Sequence, residues 1–223
     1  MKNPFPDNPV FTKFLGIKNY FRQFTTKETV TRTKQLAKVA RMLQNYGDEI
    51  SFDILGSVNF GMAEEGSDVD LIMYLHFDHL EEATHENSYK FWFYERLILN
   101  TMLLELADKS FKIQVVDCIN LTKLQHCIET ENYDDDIITR FVFYRTICRG
   151  INKRVIRKYE KNIMLNEGLF KKIEQKLTEA LVQFIRTSSH KASFEKYIHR
   201  LSDKDIKIPQ SMLEKIREYL NLF

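Results

Sequence analysis

A run of seven residues, VDLIMYL at positions 69–75, sets the tightest limit on the fold. Successive side chains of an extended strand point to opposite faces, and in this run both sets are apolar apart from one aspartate. Such a strand needs cover on both sides, as in a sheet with helices against each face. The run therefore predicts a buried strand inside a layered fold.

Two shorter apolar runs predict further strands, at residues 52–55 and 111–116, while the chain beyond about residue 132 shows only helical spacing. Glycine and proline are scarce, with 7 and 4 in 223 residues, which disfavours an all-β fold with many tight turns. Helices are predicted at residues 28–46, 58–63, 79–107, 134–163, 168–187, 191–201 and 210–222. The predicted fold class is α+β: a small mixed β-sheet of three or four strands, followed by a C-terminal helical bundle.

These elements predict a chain of three parts. Residues 1–28 hold three of the four prolines and several aromatic residues, and we expect an N-terminal arm with a short helix that packs onto the body. Residues 29–131 hold the predicted strands, and residues 132–223 form the helical C-terminal domain. A cleft is expected between these last two parts.

Charge is unevenly distributed, although the net charge is only +2. Residues 138–223 carry 19 Lys and Arg against 9 Asp and Glu, a net of +10, which leaves 14 against 22, a net of −8, for residues 1–137. An acidic half joined to a basic half suits an enzyme that combines a metal site with a polyanion-binding surface. It is equally consistent with two halves that attract each other.

The three cysteines are odd in number and lack the C-x-x-C spacing of a zinc framework. They are typical of a reduced, cytoplasmic protein. Residues 1–14 lack the apolar segment of a signal peptide, and no stretch approaches the roughly 18 uncharged apolar residues of a transmembrane helix. The sequence thus predicts a cytoplasmic location and no membrane partner.

The candidate chemical residues lie within residues 54–75, where Gly56 and Ser57 precede Asp68 and Asp70. The two aspartates are separated by one residue, so on a strand their carboxylates point the same way and can converge on a hard cation. Mg²⁺ takes oxygen ligands, usually one or two carboxylates together with phosphate oxygens and water. Gly56 allows the backbone to approach a phosphate closely, and the Ser57 hydroxyl can donate a hydrogen bond to it.

This segment resembles the signature of the DNA polymerase beta-like nucleotidyltransferase superfamily, which is Gly-Ser, a spacer, a Ser-Asp-x-Asp-Leu run on the next strand, and a later carboxylate. The residues that carry the resemblance are Gly56, Ser57, Gly61, Ser67, Asp68, Asp70 and Leu71. It implies that residues 29–131 are a nucleotidyltransferase catalytic domain in which Gly56, Ser57 and Ser67 bind the nucleotide. The residues alone also allow a simpler interpretation, an aspartate pair in a turn before a strand.

The resemblance further implies a third carboxylate and a mechanism. Asp117 follows the strand predicted at 111–116 and would complete a catalytic, metal-binding triad with Asp68 and Asp70, as general base or as metal ligand. Two Mg²⁺ ions, or Mn²⁺, would bridge an NTP such as ATP and the acceptor hydroxyl, and pyrophosphate would leave. From the residues alone, Asp117 is also consistent with capping the following loop.

A basic helix is predicted over residues 140–161, in which Arg145, Arg149, Lys153 and Arg157 are spaced by four and share one face. In superfamily members with a C-terminal helical bundle, such residues contact the triphosphate or the acceptor. We therefore expect Arg145, Arg149 and Lys153 to bind the NTP. The stripe is equally consistent with contacts to a nucleic-acid backbone or with a solvated charged face.

The predicted function is transfer of a nucleoside monophosphate from an NTP to an acceptor hydroxyl. The acceptor stays open between a protein side chain, a small molecule and an RNA 3′ end, and the lack of a nucleic-acid-binding motif favours the first two. Alternatives are a non-catalytic module of the same fold that binds nucleotide or a partner, and a basic nucleic-acid-binding protein. The intact Asp68, Asp70 and Asp117 argue against the non-catalytic module.

Overall fold

The computed structural model describes residues 4–45, 47, 49–84, 86–106 and 111–221, without the side chains of residues 102–106 and 164. Within these residues the fold is mixed α and β, with ten helices and one four-stranded sheet. The elements are, in chain order, α1 (Pro9–Arg22), α2 (Lys27–Asn45), β1 (Ser51–Ile54), α3 (Gly56–Phe60), β2 (Val69–Leu75), α4 (Tyr89–Leu106), β3 (Ile113–Asn120), α5 (Leu121–Glu129), α6 (Asp136–Ile147), β4 (Arg149–Ile151), α7 (Arg157–Met164), α8 (Glu167–Arg186), α9 (Ser188–Ser202) and α10 (Gln210–Leu220).

The sheet has the strand order β3-β2-β1-β4 and is mixed, as predicted. β2 runs parallel to β3, whereas β1 runs antiparallel to both β2 and β4. β2 coincides with the predicted strand at 69–75, and six of its seven residues are buried. The prediction of a strand covered on both faces is confirmed.

Alternate side chains of β2 enter two different hydrophobic cores. Ile72 and Tyr74 join a core formed with α1, α3 and the helices from α5 to α10. Leu71 and Met73 join the other core, which includes side chains of α2 and α4. α1 therefore packs on the C-terminal helices, so the segment predicted as an arm shares a core with the most distant part of the chain.

Six of the seven predicted helices are present with shifted ends. α2, α8 and α10 lie close to their predicted bounds, and the helix predicted over 79–107 begins only at Tyr89. The Ser88 hydroxyl explains this start, because it accepts a hydrogen bond from the backbone N–H of Phe91 at 3.2 Å and so caps α4. Residue 107 lies outside the described residues. None of the described helices has the length and apolar character needed to cross a membrane.

The prediction of helices alone beyond residue 132 is wrong. The helix predicted over 134–163 is divided into α6 and α7, and between them β4 pairs with β1, with Ile151 opposite Phe52. A three-residue strand is too short to show alternation, and the basic residues spaced by four extend across it in a helical pattern. Pairing with a strand far away in the sequence decides the backbone at this point.

β3 is longer than predicted and contains a bulge. It continues through Asp117, which was expected just after the strand, and ends at Asn120. The register with β2 shifts between Leu71, which pairs with Val115, and Ile72, which pairs with Asp117. Because of the extra residue, Asp117 pairs with Ile72 and not with Met73, whereas the pairing of Asp70 with Gln114 lies before the bulge.

Candidate functional site

Asp68 and Asp70 lie at the start of β2, where main-chain hydrogen bonds position both. The Oδ1 atom of Asp68 accepts a hydrogen bond from the backbone N–H of Lys112, 2.9 Å away. The carbonyl oxygen of Asp70 accepts one from the backbone N–H of Leu55, also at 2.9 Å. The second bond ties the acidic strand to the turn between β1 and α3.

The two carboxylates differ in exposure, since Asp70 is half-buried and Asp68 is exposed. Burial raises the pKa of Asp70, and the negative charge of Asp68 raises it further. Both effects disfavour the ionised pair in the absence of a counter-ion. A bound cation would remove this penalty.

Gly56 brings the turn into contact with Asp70. Its φ is +61°, in the left-handed region that glycine adopts without strain. A β-carbon at this position would lie 3.1 Å from Oδ2 of Asp70. The absence of a side chain at Gly56 therefore lets the backbone lie close to the Asp70 carboxylate.

The two serines expected to bind nucleotide lie beside the aspartates. Ser57 is in the first turn of α3, and Ser67 is in the loop before β2, where its hydroxyl accepts a hydrogen bond from the backbone N–H of Glu64 at 2.8 Å. Both serines line one cavity of about 660 Å³ together with Gly56, Asp68 and Asp70. The structure thus brings these five predicted residues together.

The opposite wall of this cavity belongs to α9. Four of its lining residues recur at intervals of three or four and share one helix face, namely Ser193, Lys196, Tyr197 and Arg200. His199 and Asp203, the residue after the helix, line the cavity as well. Arg200 donates a hydrogen bond to the carbonyl oxygen of Met62 and pairs with Glu64, which anchors α9 to the loop before β2. Lys196 is exposed, and no carboxylate in the described part of the chain forms an ion pair with it.

Sequence reasoning missed the contribution of α9, although it predicted a helix at 191–201. The helical spacing of Ser193, Lys196 and Arg200 was visible, and it predicts a polar face. It does not predict what that face meets, because the aspartates are more than a hundred residues away along the chain. The helix reaches them because Phe194 and Tyr197 pack in the core shared with α1.

The structure does not bring Asp117 into this cavity. One carboxylate oxygen accepts a hydrogen bond from Nε of Arg140 at 3.0 Å and one from the hydroxyl of Tyr144 at 2.8 Å, and the other oxygen pairs with the same guanidinium. Burial, followed by the charge of Asp117, raises the pKa of Tyr144 well above its usual range, so this phenol stays a donor. Asp117 therefore binds α6 to the sheet in this conformation.

The residues of β3 nearest to the aspartates are not acidic. Gln114 pairs with Asp70 in the sheet, and Val116, the bulged residue, lines a neighbouring cavity with Asp70. Asp117 lies on the same face of the sheet as Asp70. It pairs with Ile72, however, which is two residues further along β2. The role of Asp117 as third ligand or general base stays a prediction.

The basic residues predicted to bind NTP lie elsewhere. Arg145 is buried, with its guanidinium paired to Asp53 and to Glu160, and Asp53 also accepts a hydrogen bond from the hydroxyl of Tyr74 at 2.5 Å. This network of ion pairs and hydrogen bonds compensates the free-energy cost of burying the charges, and it holds α6 on β1. The predicted helix face does not exist, because β4 separates Arg145 from Lys153.

Arg149 and Lys153 line a different cavity, together with side chains of α1. Gly150 leaves room between them for the guanidinium of Arg145, since a β-carbon there would lie 2.7 Å from its Nη1 atom. None of the three residues lines the cavity that holds Asp68 and Asp70.

Comparisons with protein-family models, with curated proteins and with solved structures found no match to this chain. Among the described residues, no group of three or more His, Cys, Asp or Glu side chains is placed to hold a metal ion. The oxygen donors that line the cavity include the carboxylates of Asp68 and Asp70, those of Glu64 and Asp203, and the hydroxyls of Ser57 and Ser67. Such an oxygen set fits Mg²⁺ or Mn²⁺ when phosphate oxygens and water complete the coordination.

Proposed function

We propose that this chain is a metal-dependent nucleotidyltransferase, which transfers a nucleoside monophosphate from an NTP to an acceptor hydroxyl and releases pyrophosphate. The observation that carries the proposal is one cavity in which Asp68 and Asp70 face Lys196 and Arg200 of α9. A carboxylate pair can hold a divalent cation, and cations across from it can hold the triphosphate of the same substrate. The volume of about 660 Å³ is in the range of nucleotide-sized ligands.

Each residue of the cavity has a role that follows from its chemistry. Asp68 and Asp70 would hold Mg²⁺, with Gly56 leaving the Asp70 carboxylate unobstructed. The hydroxyls of Ser57 and Ser67 can donate hydrogen bonds to phosphate oxygens. When bound, the metal would neutralise charge on the triphosphate and polarise the α-phosphoryl group.

The side chains of α9 would position the leaving group. Lys196 can supply a flexible point charge to the β- and γ-phosphates, whereas Arg200 is held in place by Glu64 and Met62. The ring of Tyr197 packs under the guanidinium of Arg200, 5.7 Å from its carbon atom to the ring centroid. These fixed groups would stabilise negative charge on the departing pyrophosphate.

In the transfer itself, the acceptor hydroxyl oxygen forms a bond to the α-phosphorus as the bond to the bridging oxygen breaks, and that oxygen leaves with the electron pair as pyrophosphate. The proton of the hydroxyl passes to a base, the role predicted for Asp117. In this conformation Asp117 is engaged with Arg140 and Tyr144. It can accept the proton only after release from these partners.

We also propose that the sheet with α3 is a nucleotidyltransferase domain and that the C-terminal helices close its cleft. The resemblance at Gly56, Ser57 and the Ser67–Asp70 run supports this, as does the position of α9 across the cavity. The acceptor class is a protein side chain, a small molecule or an RNA 3′ end. The lack of a recognisable nucleic-acid-binding motif in the sequence favours the first two acceptors.

The decisive experiment is incubation of the protein with each α-labelled NTP, Mg²⁺ and separate pools of cell protein, small molecules and total RNA. We expect label in one pool, release of pyrophosphate, and loss of both in Asp70→Asn. Lys196→Gln should retain metal binding while the KM for NTP rises about tenfold or more, because one charged contact is lost.

The outcomes separate this proposal from the two other classes of function. Binding of Mg²⁺ and NTP without pyrophosphate release in any pool would indicate a non-catalytic nucleotide-binding module. Steeply salt-dependent binding to nucleic acid that is unchanged in Asp68→Asn and Asp70→Asn, with no metal-dependent NTP binding, would indicate a basic nucleic-acid-binding protein.

A further inference from the structure

A second cavity, of about 460 Å³, lies between α1 and the segment that joins α6 to β4. Five basic side chains line it, namely Lys18, Arg22, Arg145, Arg149 and Lys153. No carboxylate of the described residues is part of its lining, and it shares no residue with the cavity of Asp68 and Asp70. Two separate elements of the fold thus contribute positive charge to one concave surface.

The positive charge of this cavity is not balanced locally. Arg145 also borders it, but this guanidinium is paired with Asp53 and Glu160. Across the described residues, no carboxylate lies within ion-pair distance of Lys18, Arg22 or Arg149. Like charges that no carboxylate pairs cost free energy, and an anion in the cavity would recover it.

Among the basic residues of the cavity that have no carboxylate partner in the described part of the chain, Lys18 is the most buried, whereas Arg22 and Arg149 are half-buried and Lys153 is exposed. The side chain of Lys18 is on the buried face of α1 with the residue 3% exposed, and its Nζ atom donates a hydrogen bond to the carbonyl oxygen of Ile147 at 2.7 Å. Burial, and after it the charge of Arg22, lowers the pKa of Lys18 to about 7. The nearby thiol of Cys148 offers no negative charge, because burial raises its pKa well above the usual range.

The guanidinium groups of Arg22 and Arg149 have N–H donors available for a ligand. Arg22 is oriented by Asn59, with its Nε atom 2.8 Å from the backbone oxygen and its Nη2 atom 2.8 Å from Oδ1, so the guanidinium is fixed without a carboxylate. Burial lowers the pKa of Arg149 as well. Burial and the charge of Arg149 lower the pKa of Arg22 to about 10. The fold therefore keeps two guanidinium groups close together against their mutual repulsion.

We propose that this cavity is a second anion site, which binds a di- or triphosphate group independently of the cavity that holds Asp68 and Asp70. Guanidinium groups offer paired donors that match phosphate oxygens, and Lys18 and Lys153 add point charges. The volume exceeds the needs of a single small anion and suits a chain of phosphoryl groups. The concave shape favours a small molecule over the extended backbone of a polymer.

The test is calorimetric titration of the full chain with inorganic tripolyphosphate in EDTA, so that metal-dependent binding at the aspartates does not contribute. We expect saturable binding of one equivalent, which weakens by about tenfold or more in Arg149→Gln and in Lys153→Gln. Lys196→Gln removes an exposed charge from the other cavity and should bind as the unaltered protein does. Asp70→Asn should also bind normally, so this result does not depend on the proposed transferase activity.

A parallel titration with ATP in EDTA identifies the source of the phosphate group. Tighter binding of ATP than of tripolyphosphate supports a nucleotide ligand, and equal or weaker binding supports a free polyphosphate. The proposal is overturned if no saturable binding occurs at millimolar tripolyphosphate, or if sulfate at equal ionic strength competes fully. It is also overturned if Lys196→Gln weakens binding as much as Arg149→Gln, or if a single-stranded oligonucleotide binds and tripolyphosphate does not displace it.

Discussion

The carboxylate of Asp70 lies 3.1 Å from the point that a β-carbon on Gly56 would occupy. Gly56 begins α3, and Asp70 belongs to β2. The contact between them therefore joins the two halves of the sequence motif. A glycine at residue 56 is therefore needed for the shape of the acidic site as well as for the left-handed backbone of the turn.

Gly56→Ala should weaken Mg²⁺ binding and transferase activity by about tenfold or more. The backbone strain costs about 1–2 kcal/mol, and the added methyl group also displaces the Asp70 carboxylate. The measurement is the Mg²⁺ dependence of the melting temperature together with pyrophosphate release. Gly66→Ala is the matched control, since Gly66 lines the same cavity and nothing lies within 4 Å of the point where its methyl group would be. Equal effects of the two substitutions would contradict this account.

Asp70→Asn should make the metal-free protein slightly more stable near neutral pH. The folded-state pKa of Asp70 is raised by burial and by Asp68, so the folded state binds the proton more tightly than the unfolded chain. Its stability then falls as the pH rises from the ordinary carboxylate pKa through the raised value, and the penalty persists above it. The amide lacks this penalty.

Melting temperatures of both proteins between pH 3 and 8, without metal and with Mg²⁺, check this prediction. Mg²⁺ should raise the melting temperature of the unaltered protein and leave Asp70→Asn unchanged. A variant that is less stable than the unaltered protein at every pH, or one that Mg²⁺ stabilises equally, would rule out the proposed origin of the shift.

Asp117→Asn should lower the free energy of unfolding by about 1–3 kcal/mol, because Arg140 and Tyr144 lose a charged acceptor. In this conformation Asp117 lies outside the cavity and contributes little to Mg²⁺ binding. Asp117→Asn should therefore change the Mg²⁺ affinity by less than about threefold. Urea unfolding and a Mg²⁺ titration measure the two effects. A loss of Mg²⁺ affinity as large as that of Asp70→Asn would instead give Asp117 the role of third ligand predicted from the sequence.

Arg145→Met should destabilise the fold by about 3–5 kcal/mol, because it leaves the buried carboxylate of Asp53 without its cation. Urea unfolding provides the measurement. The double substitution Arg145→Met with Asp53→Leu should recover a large part of the loss, since both buried charges are then removed. A cost below about 1 kcal/mol for Arg145→Met would show that the network does not hold α6 on β1.

Lys18→Met should change how stability depends on pH. The folded-state pKa of Lys18 is about 7, below its usual 10.5, because of burial and of the charge of Arg22 nearby. Cys148 and Asp53 act in the opposite direction, and Arg149 lowers the pKa by the smallest amount. Between these values the unfolded chain binds a proton that the folded chain lacks, so stability rises with pH. Below about pH 7 the full penalty, on the order of 4 kcal/mol, is present.

Unfolding free energies of Lys18→Met and the unaltered protein at pH 6, 8 and 10 measure this slope. The variant should be the more stable of the two at pH 6, and the difference should shrink toward pH 10. The carbonyl oxygen of Ile147 keeps a partner in the variant, since the side-chain amide of Asn59 also donates to it at 2.8 Å. A difference that does not vary with pH would contradict a buried, titrating amine.

The sequence was most informative where local pattern and tertiary structure agree. Both ends of the VDLIMYL strand were predicted correctly. A strand that is buried on both faces appears in the sequence as a continuous apolar run. The proximity of Ser57 to Asp68 and Asp70 was also predictable, since the turn and the strand are neighbours in sequence and in the sheet.

Long-range pairing accounts for what the sequence did not predict. Arg145 looked like one of a stripe of surface cations, and only the fold shows that Asp53 meets it in the core. Lys196 looked like an ordinary helix-surface residue, and only packing of α9 brings it opposite Asp70. Neither relationship leaves a local signal, because both partners come from distant parts of the chain.

The position of β4 has a consequence for how the chain reaches its final form. Strand β1 has no partner on one edge until residues 149–151 have been synthesised, and the apolar face of α1 stays uncovered until α8 and α10 follow. Early segments therefore gain their order together with late ones, and such non-local contacts slow folding. A fragment that stops at residue 131 would expose both surfaces, and its open strand edge would favour self-association.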